Sequence, residues 1–397
     1  MLLKRSSYLA KAKEILRDRP VLAILGPRQC GKTTFVKEFL SEKFDYLDLE
    51  RPSDLNLLLT EPELYLKEQQ RPLVIDEAQR LPELFPLLRS ESDRRKKKGQ
   101  FVLLGSSSFQ LIEAISESLA GRVGFLDLNP LGLFEINESG IDWKGHWLKG
   151  GFPDALLQGR SKKINFNWFE DYTRTLVERD LPSLGISITP HQFRKLWAMA
   201  SHFHGQVLNM NKLANSLDLS PHTVKRYLDI LEQTFMIRRL QPFSGNLKKR
   251  LVKSPKLYIR DSGLFHYFQR ILTERDLISH PSRGASFEGY TIEQLLQVLR
   301  LKTPEYESLY FRSSDEVEVD LILQKGGQLS PIEIKASLSP SKDQCKSLYK
   351  FLELSKCKRA FVLGMGSQRF WIDKRIEFIG IESWAQDSFP AFWDEKS

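Results

Sequence analysis

Cysteine is scarce in this chain. Cys30, Cys345 and Cys357 are the only three in 397 residues. Their spacing gives no disulfide framework, and no histidine cluster accompanies them to suggest a zinc site. They read as reduced thiols. Long apolar runs are absent too: none approaches the roughly 18 residues needed to cross a bilayer. The stretch from Met1 to Lys13 carries charge too early and too often for a secretory signal. The expectation is a cytoplasmic chain with no membrane partner. Acidic residues are outnumbered, 50 against 59 Lys and Arg, for a net charge of +9. The excess is uneven: nine Lys or Arg face two acidic residues between His222 and Lys256. A polyanion would dock there, unless the segment is simply a solvated basic face.

At 41% hydrophobic and 27% charged the chain is globular rather than disordered, and its length suits two or three domains. The strand-forming run Val21-Leu22-Ala23-Ile24-Leu25 ends at Gly26, which opens Gly26-Pro27-Arg28-Gln29-Cys30-Gly31-Lys32-Thr33, a match to G-x-x-x-x-G-K-[ST]. Beyond it, Thr33 to Leu40 sets Phe35, Val36, Phe39 and Leu40 on one helical face. Backbone N–H groups of such a loop, with Thr34 just inside the helix, point at phosphates; Lys32 reaches the β- and γ-phosphates and Thr33 ligates Mg²⁺. ATP and Mg²⁺ are therefore the expected cofactors.

Leu73-Val74-Ile75 runs into Asp76-Glu77, the form of a Walker B pair. Asp76 would hold the Mg²⁺ shell and Glu77 would polarise water as general base. A plain helix cap would also put an acidic pair there. Phe101 to Leu104 leads into Gly105-Ser106-Ser107-Ser108, which offers Ser107 or a neighbour as a γ-phosphate sensor, or a simple turn. Arg122, in Leu119-Ala120-Gly121-Arg122-Val123, suits an arginine finger or sensor and equally a structural salt bridge.

Taken in order, G-P-R-Q-C-G-K-T-T, L-V-I-D-E-A-Q, L-L-G-S-S-S and S-L-A-G-R-V resemble the prokaryotic AAA-type ATPases whose C-terminal half is a domain of unknown function with a nuclease-like core. The resemblance covers nearly the whole chain. It implies ATP hydrolysis at the N-terminus and a homo-oligomer, since such sites usually borrow a neighbour's arginine.

Downstream, Phe166, Phe169, Tyr172 and Leu176 repeat at helical spacing, as in a packed lid. Three further helical patterns follow, His191 to Phe203, Asn211 to Leu217 and Thr223 to Gln233, the last opened by Ser220-Pro221 as cap and first-turn proline. Its apolar stripe, Val224, Tyr227, Leu228 and Leu231, leaves His222, Lys225, Arg226 and Asp229 outward, the layout of a recognition helix. Met236 to Leu240 and Lys256 to Ile259 could pair as a wing, with Lys248, Lys249 and Arg250 near phosphates. Winged helices also dock proteins, so DNA is one of two partners open.

The C-terminal pattern is a helix from Ser286 to Leu301, strands at Ser308–Phe311, Glu318–Leu323 and Pro331–Lys335, a helix from Ser341 to Leu354 and a strand from Ala360 to Leu363. This αβββαβ order with E…D…ExK resembles the PD-(D/E)xK nuclease core. Asp320, Glu333 and Glu288 would supply oxygen ligands for Mg²⁺, and Lys335 would position the attacking water. Glu293 is the other helix candidate, Gln344 could assist, and Lys335 could instead only neutralise Glu333.

The expected fold class is α/β: a P-loop NTPase parallel sheet with a helical lid, then a winged-helix module and a restriction-endonuclease-like α/β domain. The expected boundaries are 1–150, 151–190, 191–260 and 261–397. The expected function is an ATPase that binds and acts on double-stranded or branched DNA, with the alternative of a regulatory switch whose C-terminal half docks a protein and cuts nothing.

Overall fold

The computed structural model describes residues 3–40, 43–106, 109–136, 139–157, 162–183, 186, 189–245, 251–386 and 392. The chain divides into two compact units. One is Met1–Leu131 with Gln233–Phe235; the other is Gly132–Glu232 with Met236–Ser397.

The first unit alternates helix and strand. In order come α1 (Ser6–Asp18), β1 (Val21–Gly26), α2 (Lys32–Phe39), β2 (Asp45–Asp48), α3 (Pro52–Thr60), α4 (Pro62–Glu68), β3 (Leu73–Asp76), α5 (Leu84–Arg95), β4 (Phe101–Ser106), α6 (Phe109–Ser118) and β5 (Val123–Asp127). The strands form one five-stranded sheet in the order β2-β3-β4-β1-β5, and every pairing is parallel. β1 and β3 are buried at every position, as strands covered by helices on both faces must be. β4 lies between β1 and β3, so the loop after β1 and the acidic pair after β3 open at the same carboxyl edge with one strand between them.

In the second unit α7 (Trp143–Lys149), α8 (Pro153–Leu157) and α9 (Phe166–Thr175) come first, then a π-helical turn over Leu176–Asp180 and the short α10 (Leu181–Ser183). Next are α11 (Pro190–Ser201), β6 (Gln206–Val207), α12 (Met210–Leu217), α13 (Pro221–Gln233), β7 (Ile237–Pro242) and β8 (Lys256–Ile259). Asn209 caps α12 by accepting from Lys212 N–H at 2.9 Å, and Ser220 Oγ accepts from Thr223 N–H at 3.0 Å to start α13. β8 pairs antiparallel with β7 on one side and β6 on the other.

The chain continues through α14 (Ser262–Phe268), α15 (Glu274–Ser279), α16 (Arg283–Lys302), β9 (Glu307–Arg312), β10 (Glu318–Lys325), β11 (Gln328–Lys335), α17 (Lys346–Ser355), β12 (Ala360–Gly364), β13 (Arg369–Trp371), β14 (Ile376–Gly380) and α18 (Ile381–Gln386). β9, β10 and β11 are antiparallel neighbours, while β11 pairs parallel with β12. The expected break at 260 is bridged: β7 pairs parallel with β9 through Gln241↔Leu309 and Pro242↔Tyr310, which makes one nine-stranded sheet, β13-β14-β12-β11-β10-β9-β7-β8-β6. The pairing removes two exposed edges that separate modules would each have carried.

Candidate functional site

In the first unit the loop after β1 is fixed by close packing. A Cβ on Gly26 would lie 2.1 Å from the Leu128 carbonyl oxygen, so only glycine fits. Gly31 has φ +95°, a left-handed value that lets the loop turn directly into α2. Cys30 is buried and donates from Sγ to the Leu128 carbonyl at 3.1 Å, so it is packing rather than chemistry. Arg5, which the sequence pattern did not single out, is 5% exposed and donates to the carbonyls of Cys30 at 3.3 Å and Asn129 at 2.9 Å. Gln29 also takes a positive φ, of 58°, and Arg28 lies 3.7 Å from Glu50.

The polar groups converge on this loop. Lys32 Nζ donates to the carbonyls of Gly26 at 3.0 Å and Pro27 at 2.9 Å, which holds the ammonium over the loop. Thr33 Oγ1 donates to Asp76 Oδ2 at 2.8 Å, while Asp76 Oδ1 accepts from Glu77 N–H at 2.9 Å. Tyr46, the second residue of β2, donates its hydroxyl to the same Oδ2. Its period-two position beside Asp48 was the available signal, and it was not read as functional. Glu77 has φ 55° and accepts from Gln79. Burial raises its carboxyl above the usual carboxylate range, against the pull of Lys32 and Arg28. Thr34 is exposed in the first turn of α2. Thr33 and Asp76 could complete a Mg²⁺ shell whose other oxygens come from nucleotide phosphates and water.

Two expectations change here. Arg122 precedes β5, whose first residue pairs with Val21, so it lies at the amino end of the sheet. A five-residue strand spans about 17 Å, which separates it from the P-loop edge. It forms a bidentate pair with Asp93 at 2.7 and 2.8 Å and donates to the Ala120 carbonyl at 2.9 Å. These contacts match the structural salt bridge that the sequence also allowed for it. Ser107 lies outside the described residues.

In the second unit Glu288 of α16, Asp320 of β10 and Glu333 of β11 are drawn together, but not around an open space. Lys256, from β8, is 1% exposed and places Nζ 3.1 Å from Glu288 Oε1 and 3.5 Å from Asp320 Oδ1, with Glu318 as a third partner. Tyr258, two residues along the strand, donates to Glu288 Oε1 at 2.5 Å. Asp320 Oδ2 accepts from Ile334 N–H at 2.9 Å, and Lys335 Nζ donates to Glu333 Oε1 at 2.6 Å. Glu333 Oε2 is buried without a partner. Burial, then repulsion from Asp320, raises the carboxyls of Glu288 and Glu333. Burial alone would lower the Lys256 ammonium, but Glu288 and its neighbours hold it well above its ordinary value.

Of the expected ligand set, Glu288 and Asp320 meet the Lys256 ammonium, and Glu333 meets Lys335. Among the described residues no group of three or more His, Cys, Asp or Glu side chains is disposed to hold a metal ion. Glu293, the other helix candidate, faces elsewhere: it accepts from Arg238 at 2.9 Å and from Arg260 at 3.1 Å, a buried ion cluster. Gln344 caps its own helix by accepting from Ser341 N–H at 2.9 Å. Lys256, Tyr258 and Glu318 were missed because nothing local ties β8 to β10.

On α13, His222, Lys225 and Arg226 are exposed. Asp229, on the same helix, pairs with Arg239 at 2.7 Å. A cavity of about 880 Å³ beside them is lined by Lys225, Asp229, Arg239 and Arg312 among others. Lys248, Lys249 and Arg250 lie outside the described residues. No helix among the described residues is long and apolar enough to cross a membrane.

Comparison with known proteins divides the chain in three. Residues 18–137 match the AAA domain family, 141–275 a domain of unknown function (DUF8612) and 283–384 another (DUF4143). Among solved structures, the Walker-type ATPase PABY2304 of Pyrococcus abyssi is 15% identical, covering 68% of this chain and 96% of that one, with a TM-score of 0.44. A Haemophilus influenzae protein is 20% identical over 96% of this chain and 98% of its own length. Rv2008c of Mycobacterium tuberculosis is 39% identical over 86% of this chain and 76% of its own length. With that identity and coverage, and with the P-loop seated on a parallel sheet, the chain belongs to the family of Rv2008c, and its N-terminal domain is a P-loop AAA-type ATPase domain.

Proposed function

We propose that the protein hydrolyses ATP with Mg²⁺ and uses the nucleotide cycle to act on double-stranded or branched DNA. The observation that carries the ATPase part is the meeting of Lys32, Thr33, Asp76 and Glu77 at one sheet edge. Lys32 stabilises charge on the transferred phosphoryl group, Thr33 and Asp76 hold the metal shell, and Glu77 orients the attacking water. The raised carboxyl of Glu77 suits a base that must take a proton near neutral pH.

The DNA part is supported by two features. The order α11-β6-α12-α13-β7-β8, with a three-stranded antiparallel arrangement in which β8 is central, supports the winged-helix reading. On α13, His222, Lys225 and Arg226 face solvent, and no described carboxylate pairs with them. A homo-oligomer is part of the proposal, because an arginine for the transition state has to come from elsewhere once Arg122 is tied to Asp93. Sedimentation with and without ATP tests it.

The deciding experiment measures ATPase rate with and without duplex and four-way-junction DNA at low salt. Stimulation that disappears with Lys32→Ala supports the reading. A rate indifferent to DNA, together with no DNA binding, refutes it.

A second reading is favoured by Lys256. With its ammonium among the carboxylates, the nuclease-like core serves a nucleotide switch without cutting. Asp320→Ala and Glu333→Ala then leave ATPase and DNA binding unchanged.

A further inference from the structure

The carboxylate cluster of the second unit contains a cation of its own. We propose that the Lys256 ammonium stands in the place of a divalent metal, so that the nuclease-like core is built to be metal-free while β8 stays paired. Three observations carry this.

The first is stoichiometry. A lysine ammonium has three N–H donors and no acceptor, and Nζ of Lys256 meets three carboxylates, Glu288, Glu318 and Asp320. A metal ligated by Glu288 and Asp320 would need the lone pairs this ammonium engages. It would also have to lie within a few ångströms of a largely buried positive charge, where repulsion is less screened than in bulk water.

The second is fixation. Lys256 sits in a strand paired on both sides, opposite Leu240 of β7 and Val207 of β6. Its backbone is therefore fixed on both sides, and its side chain is 1% exposed, so it is held in place where a surface lysine would be free to move. Tyr258 on the same strand holds Glu288 from the same side.

The third is the remaining acceptor. Glu333 is 6% exposed, Lys335 holds its Oε1, and Oε2 has no partner. That buried oxygen shows that the cluster retains capacity for a further donor or cation once the Lys256 charge is gone.

Two modules thus complete one site. β8 belongs to the segment matched by one domain of unknown function, while Glu288, Glu318, Asp320 and Glu333 belong to the other. Any event that unpairs β8 would withdraw the ammonium and uncover the carboxylates.

The test uses the full chain, nucleotide-free, with Asp76→Asn in every sample to remove the P-loop metal position. Mn²⁺ is titrated and followed by electron paramagnetic resonance, in parallel with thermal melts. In the Lys256-containing protein no Mn²⁺ site above non-specific background is expected. Lys256→Met is expected to gain at least about tenfold in Mn²⁺ affinity and to melt higher with Mn²⁺, both lost on adding Glu333→Gln. Because Lys256→Met leaves buried charge unpaired, Lys256→Met/Glu318→Gln provides a less charged second variant with the same expected gain. The proposal is overturned if the Lys256-containing protein binds one Mn²⁺ that Glu333→Gln abolishes. It is equally overturned if neither folded variant gains affinity, or if neither recovers folding with Mn²⁺. No DNA enters the assay, so its result is separate from that of the DNA-acting reading.

Discussion

Two fully buried histidines make a calculable pH response. His204 donates from Nε2 to the Ala285 carbonyl at 3.1 Å and accepts at Nδ1 from Ile259 N–H at 3.0 Å. His266 donates from Nδ1 to the Leu148 carbonyl at 2.8 Å and accepts at Nε2 from Ser286 Oγ at 2.7 Å. Each is a neutral tautomer with both nitrogens engaged, and a second proton on His204 Nδ1 would face the Ile259 N–H instead of an acceptor. Burial lowers the two rings to about 3 and about 4. An unfolded histidine titrates near 6.5, so below that value the unfolded chain binds more protons and stability falls with pH. Between pH 7.5 and 5 the loss is about 2 kcal/mol for each ring, or roughly 4 kcal/mol together. The raised carboxyls of Asp261 (about 6), Glu288 and Glu333 act in the opposite sense, because they protonate in the folded chain first. The wild-type curve therefore mixes the two, and the histidine contribution has to be isolated by difference. All seven tryptophans lie between Trp143 and Trp393, so intrinsic fluorescence follows the second unit. Urea unfolding of wild type and His204→Gln/His266→Gln is compared at pH 7.5 and pH 5. The double variant is less stable at pH 7.5 but should lose about 4 kcal/mol less than wild type on acidification. An equal loss in both proteins would refute the assignment of buried neutral rings.

Other consequences are local. Glu293→Gln strands the buried Arg238 and Arg260 guanidinium groups, which now hold the carboxyl down to about 2 despite burial. The expected cost is about 3–5 kcal/mol by urea unfolding, and a change under about 1 kcal/mol would contradict a buried ion cluster. Tyr46→Phe removes a hydroxyl that orients Asp76. The Mg²⁺ concentration for half-maximal ATPase should rise by about tenfold with a smaller change in kcat, and an unchanged Mg²⁺ curve would count against that role. Lys225→Ala/Arg226→Ala should weaken DNA binding alike on all sequences and cut the salt slope by about 2, measured by fluorescence anisotropy across a salt series. An unaltered slope would remove α13 from the interface.

Much of the first unit was legible because its signals are local. Val21 to Thr33 is a contiguous strand, loop and helix start, and Gly31 is required there by its positive φ, whereas the contact that requires Gly26 comes from the distant Leu128 carbonyl. The helices of the second unit were legible for the same reason: Val224, Tyr227, Leu228 and Leu231 repeat at helical spacing, and all are buried. The role of Arg122 was not legible because a guanidinium close in sequence to a sensor-like motif says nothing about which end of a parallel strand it occupies. Only the pairing of Val21 with Val123 places it at the far edge.

The amino-acid sequence by itself determined the phosphate loop, the acidic pair after β3 and the order of helices and strands, since each depends on residues within a turn or a strand of one another. It also brought Asp320, Glu333 and Lys335 to consideration through period-two alternation. Tertiary structure alone decided what surrounds them. Lys256 lies 32 residues before Glu288, on a strand whose membership in the same sheet depends on the β7–β9 pairing. Long-range strand pairing leaves no periodic trace in sequence, so only the fold shows that Glu288 and Asp320 face a lysine ammonium.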